Sequence, residues 1–224
     1  MHTANEGIPM IIADPLDCRS WYTTDELLRY HDHEWGRPVH DDRQLFEMIC
    51  LEGTSVGLSW RTVLHKRPIY RQAFCDFDID ACAAMTDEEL DAALATPGII
   101  RSRGKVWAVR QNACATKAIQ EEFGSLDAYL WGFVGGKQVV NSWEDSRHVP
   151  TQTELSRVVS ADLKRRGMRY VGPVITYSFL QAVGIVNDHL LGCDCRDACM
   201  DVTRESAPHR HKQIGTYGGT NGRA

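Results

Sequence analysis

The sequence predicts an all-α fold, and three observations carry that expectation. Apolar residues recur at helical spacing along most of the chain, capping residues precede the apolar runs, and there is no internal repeat or run of alternating strands. The 224 residues, 43% hydrophobic and 25% charged, suit one core-bearing domain that needs no disulfide staples. No apolar run approaches the roughly 18 residues of a membrane span, so no membrane partner is expected. The N-terminal MHTANEGIPMIIADPLDC lacks the basic start and long apolar stretch of a secretory signal.

Taken in order, Thr23-Thr24-Asp25-Glu26 reads as a helix start before Leu27-Leu28-Arg29-Tyr30. Asp41 opens a second helix in which Leu45, Phe46, Ile49 and Cys50 share a face, and Gly53 is expected to end it. Ser59 to Phe74 reads as a third helix, which Pro68 should kink or split because it has no N–H to donate. Asp78 to Met85 and Thr86 to Ala95 are two short helices, the second opened by a capping box, Thr86-Asp87-Glu88-Glu89. Ser102 to Phe123 is a long helix stopped by Gly124, and Ser125 to Phe133 a short one. Gly135 to Pro150 is expected to be a loop holding a minor strand at Gln138–Asn141. Helices over Thr151–Arg166 and Pro173–Val183 are joined through Gly167–Gly172. After Met200 the chain turns polar and glycine-rich, which predicts a disordered tail over 201–224.

The net charge of −5 argues weakly against a nucleic-acid partner, but its distribution argues otherwise. Residues 53–75, 96–120 and 163–181 are basic and contain no acid, while residues 76–95 contain seven acids and no base. The three basic segments are open to two readings, one positive face or ordinary solvated helix faces. The hairpin segment Leu163-Lys164-Arg165-Arg166-Gly167-Met168-Arg169-Tyr170-Val171-Gly172-Pro173-Val174 is helix, glycine-bounded turn and helix. Such a turn offers backbone N–H groups and a helix N-terminus to DNA phosphates, with Gly167 and Gly172 permitting close approach and Lys164, Arg166 and Arg169 adding charge. Pro97 to Lys105 forms a second glycine-bounded turn of similar chemistry.

The eight cysteines, at 18, 50, 75, 82, 114, 193, 195 and 199, do not suggest a disulfide framework. Cys50, Cys75, Cys82 and Cys114 read as small packing residues. Cys18 lies twelve intervening residues before His31, and His189 and Cys193 are four apart in H-L-L-G-C, expected at a helix end. Two cysteines and two histidines suit a closed structural zinc site. On the residues alone a chance pairing stays open, as do Cys195 and Cys199 as ligands.

Several motifs, taken together and in this order, resemble bacterial 3-methyladenine DNA glycosylase I. They are Y-H-D-H-E-W-G at 30–36, L-F-E-M-I-C-L-E-G at 45–53, G-L-S-W at 57–60, G-I-I-R-S-R-G-K at 98–105 and S-F-L-Q-A-V-G-I-V-N-D-H at 178–189. The resemblance implies an all-α helix-hairpin-helix DNA glycosylase fold, with a zinc-stapled region joining the N- and C-terminal segments. It implies one glycosylase domain over 18–200, with the hairpin at about 163–180, and leaves residues 1–17 as an unassigned extension. Cys18, His31, His189 and Cys193 would hold one structural Zn2+. Glu52 would be the catalytic, base-recognising carboxylate. Tyr30, Trp35 and Trp60 would bind the base, with Trp60 as the stacking platform. Gly57 and Leu58 would enter the gap left by the flipped nucleotide. The partner would be double-stranded alkylated DNA and the product 3-methyladenine; a cytoplasmic monomer is expected.

Two departures from the family pattern stand out: Ser20 rather than Trp two positions after Cys18, and Leu27 where an aromatic is common. The superfamily's usual catalytic aspartate falls at Asn187, with Asp188 offset by one, so no aspartate is expected to activate water. The competing readings are a non-catalytic zinc-stapled DNA-binding protein and a glycosylase for another lesion.

Overall fold

The computed structural model describes residues 14, 16–19 and 24–200. The tail at 201–224, the Ser20 departure and nearly all of the 1–17 extension lie outside them. Within them the expected all-α architecture is present, with ten α-helices and a single two-stranded parallel ribbon.

The chain begins with α1 (Asp25–His33), capped by the Thr24 hydroxyl, which accepts from the Leu27 N–H. Then comes α2 (Asp42–Thr54), capped by Asp41. Every residue of α2 from Leu45 to Thr54 is buried, so it is the central helix of the domain. Next are α3 (Trp60–Ala73), α4 (Ile79–Ala84) and α5 (Asp87–Ala95), the last with the expected capping box. The long α6 (Arg103–Phe123) and α7 (Leu126–Gly132) follow. α8 (Glu154–Arg165) and α9 (Pro173–Ala182) pack on each other, and α9 and α6 both pack on α2. β1 (Val139–Val140) pairs in parallel with β2 (Val186–Asn187), and α10 (Cys195–Ala198), which the sequence did not announce, closes the described region.

Four expectations are corrected. Gly53 does not end α2; it lies inside the last turn, where a Cβ would sit 3.1 Å from Tyr170 Cβ, so its role is close approach rather than capping. Pro68 does not split α3, which runs on to Ala73; the loss of one hydrogen bond is tolerated where Val63, Leu64 and Tyr70 anchor the helix in the core. Cys50 and Cys82 are buried as expected, but Cys75 and Cys114 are exposed. The His189–Cys193 pair lies in the loop after β2, not at a helix end.

The single positive face, one of the two readings of the basic segments, is also divided. α4 and α5 pack on α6, and their acids neutralise its bases: Asp80 with Lys117, Asp87 with Arg110, Asp91 with Arg103. Between α3 and α4, residues 75–77 take positive φ, a costly state for L-residues. Complete burial of Phe77 and donation from Arg43 Nε to the Asp76 carbonyl hold it there.

Candidate functional site

The last turn of α2 carries Glu52 into the protein, where the residue is 6% exposed. It borders a small cavity whose other walls are Ile49, Leu163, Val171, Ile175, Thr176 and Phe179. With apolar neighbours and no compensating charge among the described residues, burial pushes its pKa up to about 8. A carboxyl left so poorly solvated is costly as a structural element and useful as a ligand-facing one.

Ser59 caps α3 and sets Trp60 as its first residue. The Trp60 ring lies 5.5 Å from that of Tyr30 on α1, inclined at 49°. The indole N–H of Trp60 is buried and has no partner among the described residues, an arrangement that normally calls for a ligand or water. Trp35 goes elsewhere: its ring lies 5.9 Å from His31 and 4.6 Å from His189, walling the histidine cluster. Leu27, at the departure from the family pattern, is a buried core residue.

Between α2 and α3, Gly57 takes φ +76° with open space where a side chain would be. The turn leaves Leu58 42% and Val56 38% exposed. Lys105, near the start of α6, donates from Nζ to the carbonyls of Thr54 (2.9 Å) and Val56 (2.6 Å). Two residues that sequence reasoning missed appear here. Asn112 on α6 is 2% exposed and clamps Arg169 of the hairpin, accepting from its N–H at 2.8 Å and donating to its carbonyl at 3.3 Å. The available signal was an amide among the apolar Val106, Val109 and Ala113. Tyr170, at φ +58°, closes on Gly53 and on Gly104, where a Cβ would meet its hydroxyl at 2.5 Å.

The hairpin turn ends α8 with Gly167 at φ +94°, its N–H bonded to the Lys164 carbonyl. Gly172 and Pro173 start α9 with no side-chain cap, leaving the first N–H groups of that helix available. Lys164 and Arg169 are exposed. Arg166 is committed inward, to Asp162 and Glu122 and over the Phe123 ring.

One donor atom each from Cys18, His31, His189 and Cys193 lies within 4.8 Å of the others. The sulfur–nitrogen edges are 3.3 Å (His31–Cys18), 3.7 Å (Cys18–His189), 3.4 Å (Cys193–His189) and 3.7 Å (Cys193–His31). A tetrahedral ion with metal–sulfur bonds of about 2.3 Å and metal–nitrogen bonds of about 2.0 Å has such edges near 3.5 Å. The far ring nitrogens are already oriented, His31 Nδ1 on Asp32 (2.8 Å) and His189 Nε2 on the Trp35 carbonyl (3.1 Å). Burial pushes the Cys18 thiol up to about 12 and His189 down to about 4. Cys195 and Cys199 sit behind this set, against Asp32 and His189 Nε2.

Asp188, 2% exposed, accepts from Asn141, Trp143, Tyr177 and Gln181. Asn187 is fully buried and bonds the Arg196 carbonyl and the His189 N–H. Both are spent on holding β2 and the loop after it.

Comparison with known proteins matches a family model described as methyladenine glycosylase to residues 21–197. The chain is 46% identical over 167 residues to the DNA-3-methyladenine glycosylase of Haemophilus influenzae, covering 75% of this chain and 90% of that protein. It is 44% identical over 176 residues to DNA-3-methyladenine glycosylase 1 of Escherichia coli, covering 78% and 94%. A crystal structure of a 3-methyladenine DNA glycosylase I variant in complex with 3-methyladenine superimposes with a TM-score of 0.76 at 34% identity, covering 78% of this chain and 94% of that one.

Proposed function

The chain belongs to the methyladenine glycosylase family, hydrolases that cleave the N-glycosyl bond of 3-methyladenine in DNA, and from that premise we propose how its own residues perform the excision. The observation that carries the proposal is Glu52, a carboxyl buried in an apolar wall with no hydrogen-bond partner among the described residues. A binding module has no use for such a group; a base pocket does.

Chemistry on a base within a duplex requires that the nucleotide be extruded. Leu58 wedges into the vacated stack of double-stranded DNA, and Trp60 stacks on the extruded base beside Tyr30. Methylation at N3 leaves the nucleoside with a delocalised positive charge, so the glycosidic bond is already weak. The aromatic face attracts that cation by about 1–2 kcal/mol once water is excluded. Glu52 accepts hydrogen bonds from the base, and the cation draws its carboxyl toward ionisation. As the bond breaks, its electron pair leaves with the base and neutralises it. The oxocarbenium-like sugar takes hydroxide from water, the remaining proton goes to solvent, and an abasic site remains. No aspartate need activate that water: Asp188 is saturated by four donors, which supports this reading.

α8, its turn and α9 act as a helix-hairpin-helix, gripping backbone phosphate through Gly167, Gly172 and the uncapped start of α9, with Lys164 and Arg169 adding charge. The inward pairing of Arg166 assigns it to holding the turn instead. Cys18, His31, His189 and Cys193 would hold one zinc ion, which would supply structure rather than chemistry because four protein donors leave no open position. The tetrahedral edge lengths and the pre-set imidazole tautomers support this assignment.

Chromatography of bases released from methylated DNA tests the proposal. Glu52→Gln should release 3-methyladenine at least a hundredfold more slowly than wild type. Asp188→Asn should retain release in whatever fraction folds; complete loss in a folded, zinc-loaded Asp188→Asn protein would overturn the assignment.

A further inference from the structure

We infer that Lys105 is a positioning residue for nucleotide flipping, holding the Leu58 loop in its inserting conformation and tying it through α6 to the hairpin turn. The inference rests on the reading of Leu58 as the wedge.

The loop at 55–59 needs such a restraint. It presents Val56 and Leu58 to water, and Gly57 gives it an open, left-handed bend. Its own hydrogen bonds are short-range, such as Leu58 N–H to the Ser55 carbonyl at 2.7 Å and the Ser59–Thr62 hydroxyl pair at 2.8 Å. Among the described residues, the tertiary hydrogen bond made to it comes from Lys105, on the Val56 carbonyl. The same ammonium holds the Thr54 carbonyl at the end of α2, so one cation bridges the helix that bears Glu52 and the loop that bears Leu58. Both partners are carbonyls, so the half-buried ammonium spends its donors on backbone, and its partial burial lowers the lysine's pKa.

The other end of the link is Asn112. Seven residues after Lys105, it lies two turns along the same face of α6, about 10 Å away. It fixes both backbone groups of Arg169, next to Tyr170 in its strained conformation between Gly53 and Gly104. The wedge loop and the phosphate-gripping turn are thus referenced to one rigid helix. A loop already ordered in the inserting shape loses less entropy on entering the duplex.

The test compares wild type, Lys105→Met, Lys105→Arg and Leu58→Ala on one methylated strand, single-stranded or annealed. It also measures binding of free 3-methyladenine and the salt dependence of duplex binding. Lys105→Met should slow excision from duplex about tenfold. Its single-strand excision, free-base affinity and salt slope should stay within twofold of wild type. Lys105→Arg, which also donates to two carbonyls, should recover part of the loss. Equal losses on both strands, duplex excision within twofold of wild type, or a salt slope reduced by about one, as for a phosphate contact, would each overturn the inference. If Leu58→Ala loses duplex activity while Lys105→Met does not, this inference fails alone; if Leu58→Ala loses nothing, the wedge reading itself fails. Should Lys105→Met not fold, Lys105→Gln carries the same comparison.

Discussion

Glu52 in the folded protein holds a proton that an unfolded chain would release. Its pKa of about 8 lies above the ordinary carboxylate value. Between those two values the native state therefore binds more protons than the unfolded state, and stability falls as pH rises. From pH 5.5 to 8.5 this group should cost wild type about 3 kcal/mol, a cost absent in Glu52→Gln. Urea unfolding of both proteins at the two pH values checks this; parallel losses would show that Glu52 is solvated. The role proposed for Glu52 comes from the sequence, where L-E-G sits within a long family motif, and its burial is what the fold adds. The work of Lys105 and Asn112 was not legible there. Lys105 reads only as the end of a second glycine-bounded turn, and the fold brings it to carbonyls 49 and 51 residues away. Asn112 meets a partner 57 residues away.

At the scale of helices, α1, α2 and α3 carry Tyr30, Glu52 and Trp60, and one ion cluster fastens all three. Arg67 on α3 reaches Glu47 on α2 and Glu34 just after α1, and Arg71 joins it on Glu47. Burial alone would raise the Glu47 pKa, but the hydrogen bonds from Arg71 and Arg67 outweigh it and lower it. Arg67→Met should destabilise the protein by about 3 kcal/mol because it strips a partner from a buried carboxylate. Arg71→Met should cost less, because this 46% exposed guanidinium pays less for its own burial and its loss leaves Arg67 paired with Glu47. Denaturant unfolding ranks the two, and equal costs would contradict the burial argument. Gly184, between α9 and β2, takes φ +68°, and a Cβ there would lie 2.3 Å from the Arg37 carbonyl carbon. Gly184→Ala should therefore cost several kcal/mol; near-wild-type stability would contradict the close approach. The starts capped by Thr24, Asp41 and Thr86 were read correctly because caps are local chemistry, whereas the helix expected from Thr151 is capped two residues later, by Thr153. Gly53 and Pro68 were misread because local rules treat both residues as breakers, whereas Tyr170 and the core packing of α3 decide their roles.

Across the whole molecule, the proposed zinc joins Cys18 to a histidine 171 residues later. No local spacing could reveal that closure; the residue types suggested it, and the family resemblance supplied the pairing. Elemental analysis should find one zinc per chain. Cys193→Ser should lose it and unfold at least 10 °C lower, with excision failing only as the fold does; activity lost reversibly on chelation, without unfolding, would instead indicate a catalytic metal. The net charge of −5 is likewise a whole-chain average: acids on α4 and α5 neutralise much of α6, leaving Lys164 and Arg169 exposed on the hairpin. The most direct test of the central claim, that the buried Glu52 carboxyl selects the base with Trp60 as its stacking platform, is the rate of base release from methylated DNA by wild type and by folded, zinc-loaded Glu52→Gln. Rapid release of 3-methyladenine by wild type and a loss of at least a hundredfold in the variant are predicted; equal rates for the two proteins would contradict it.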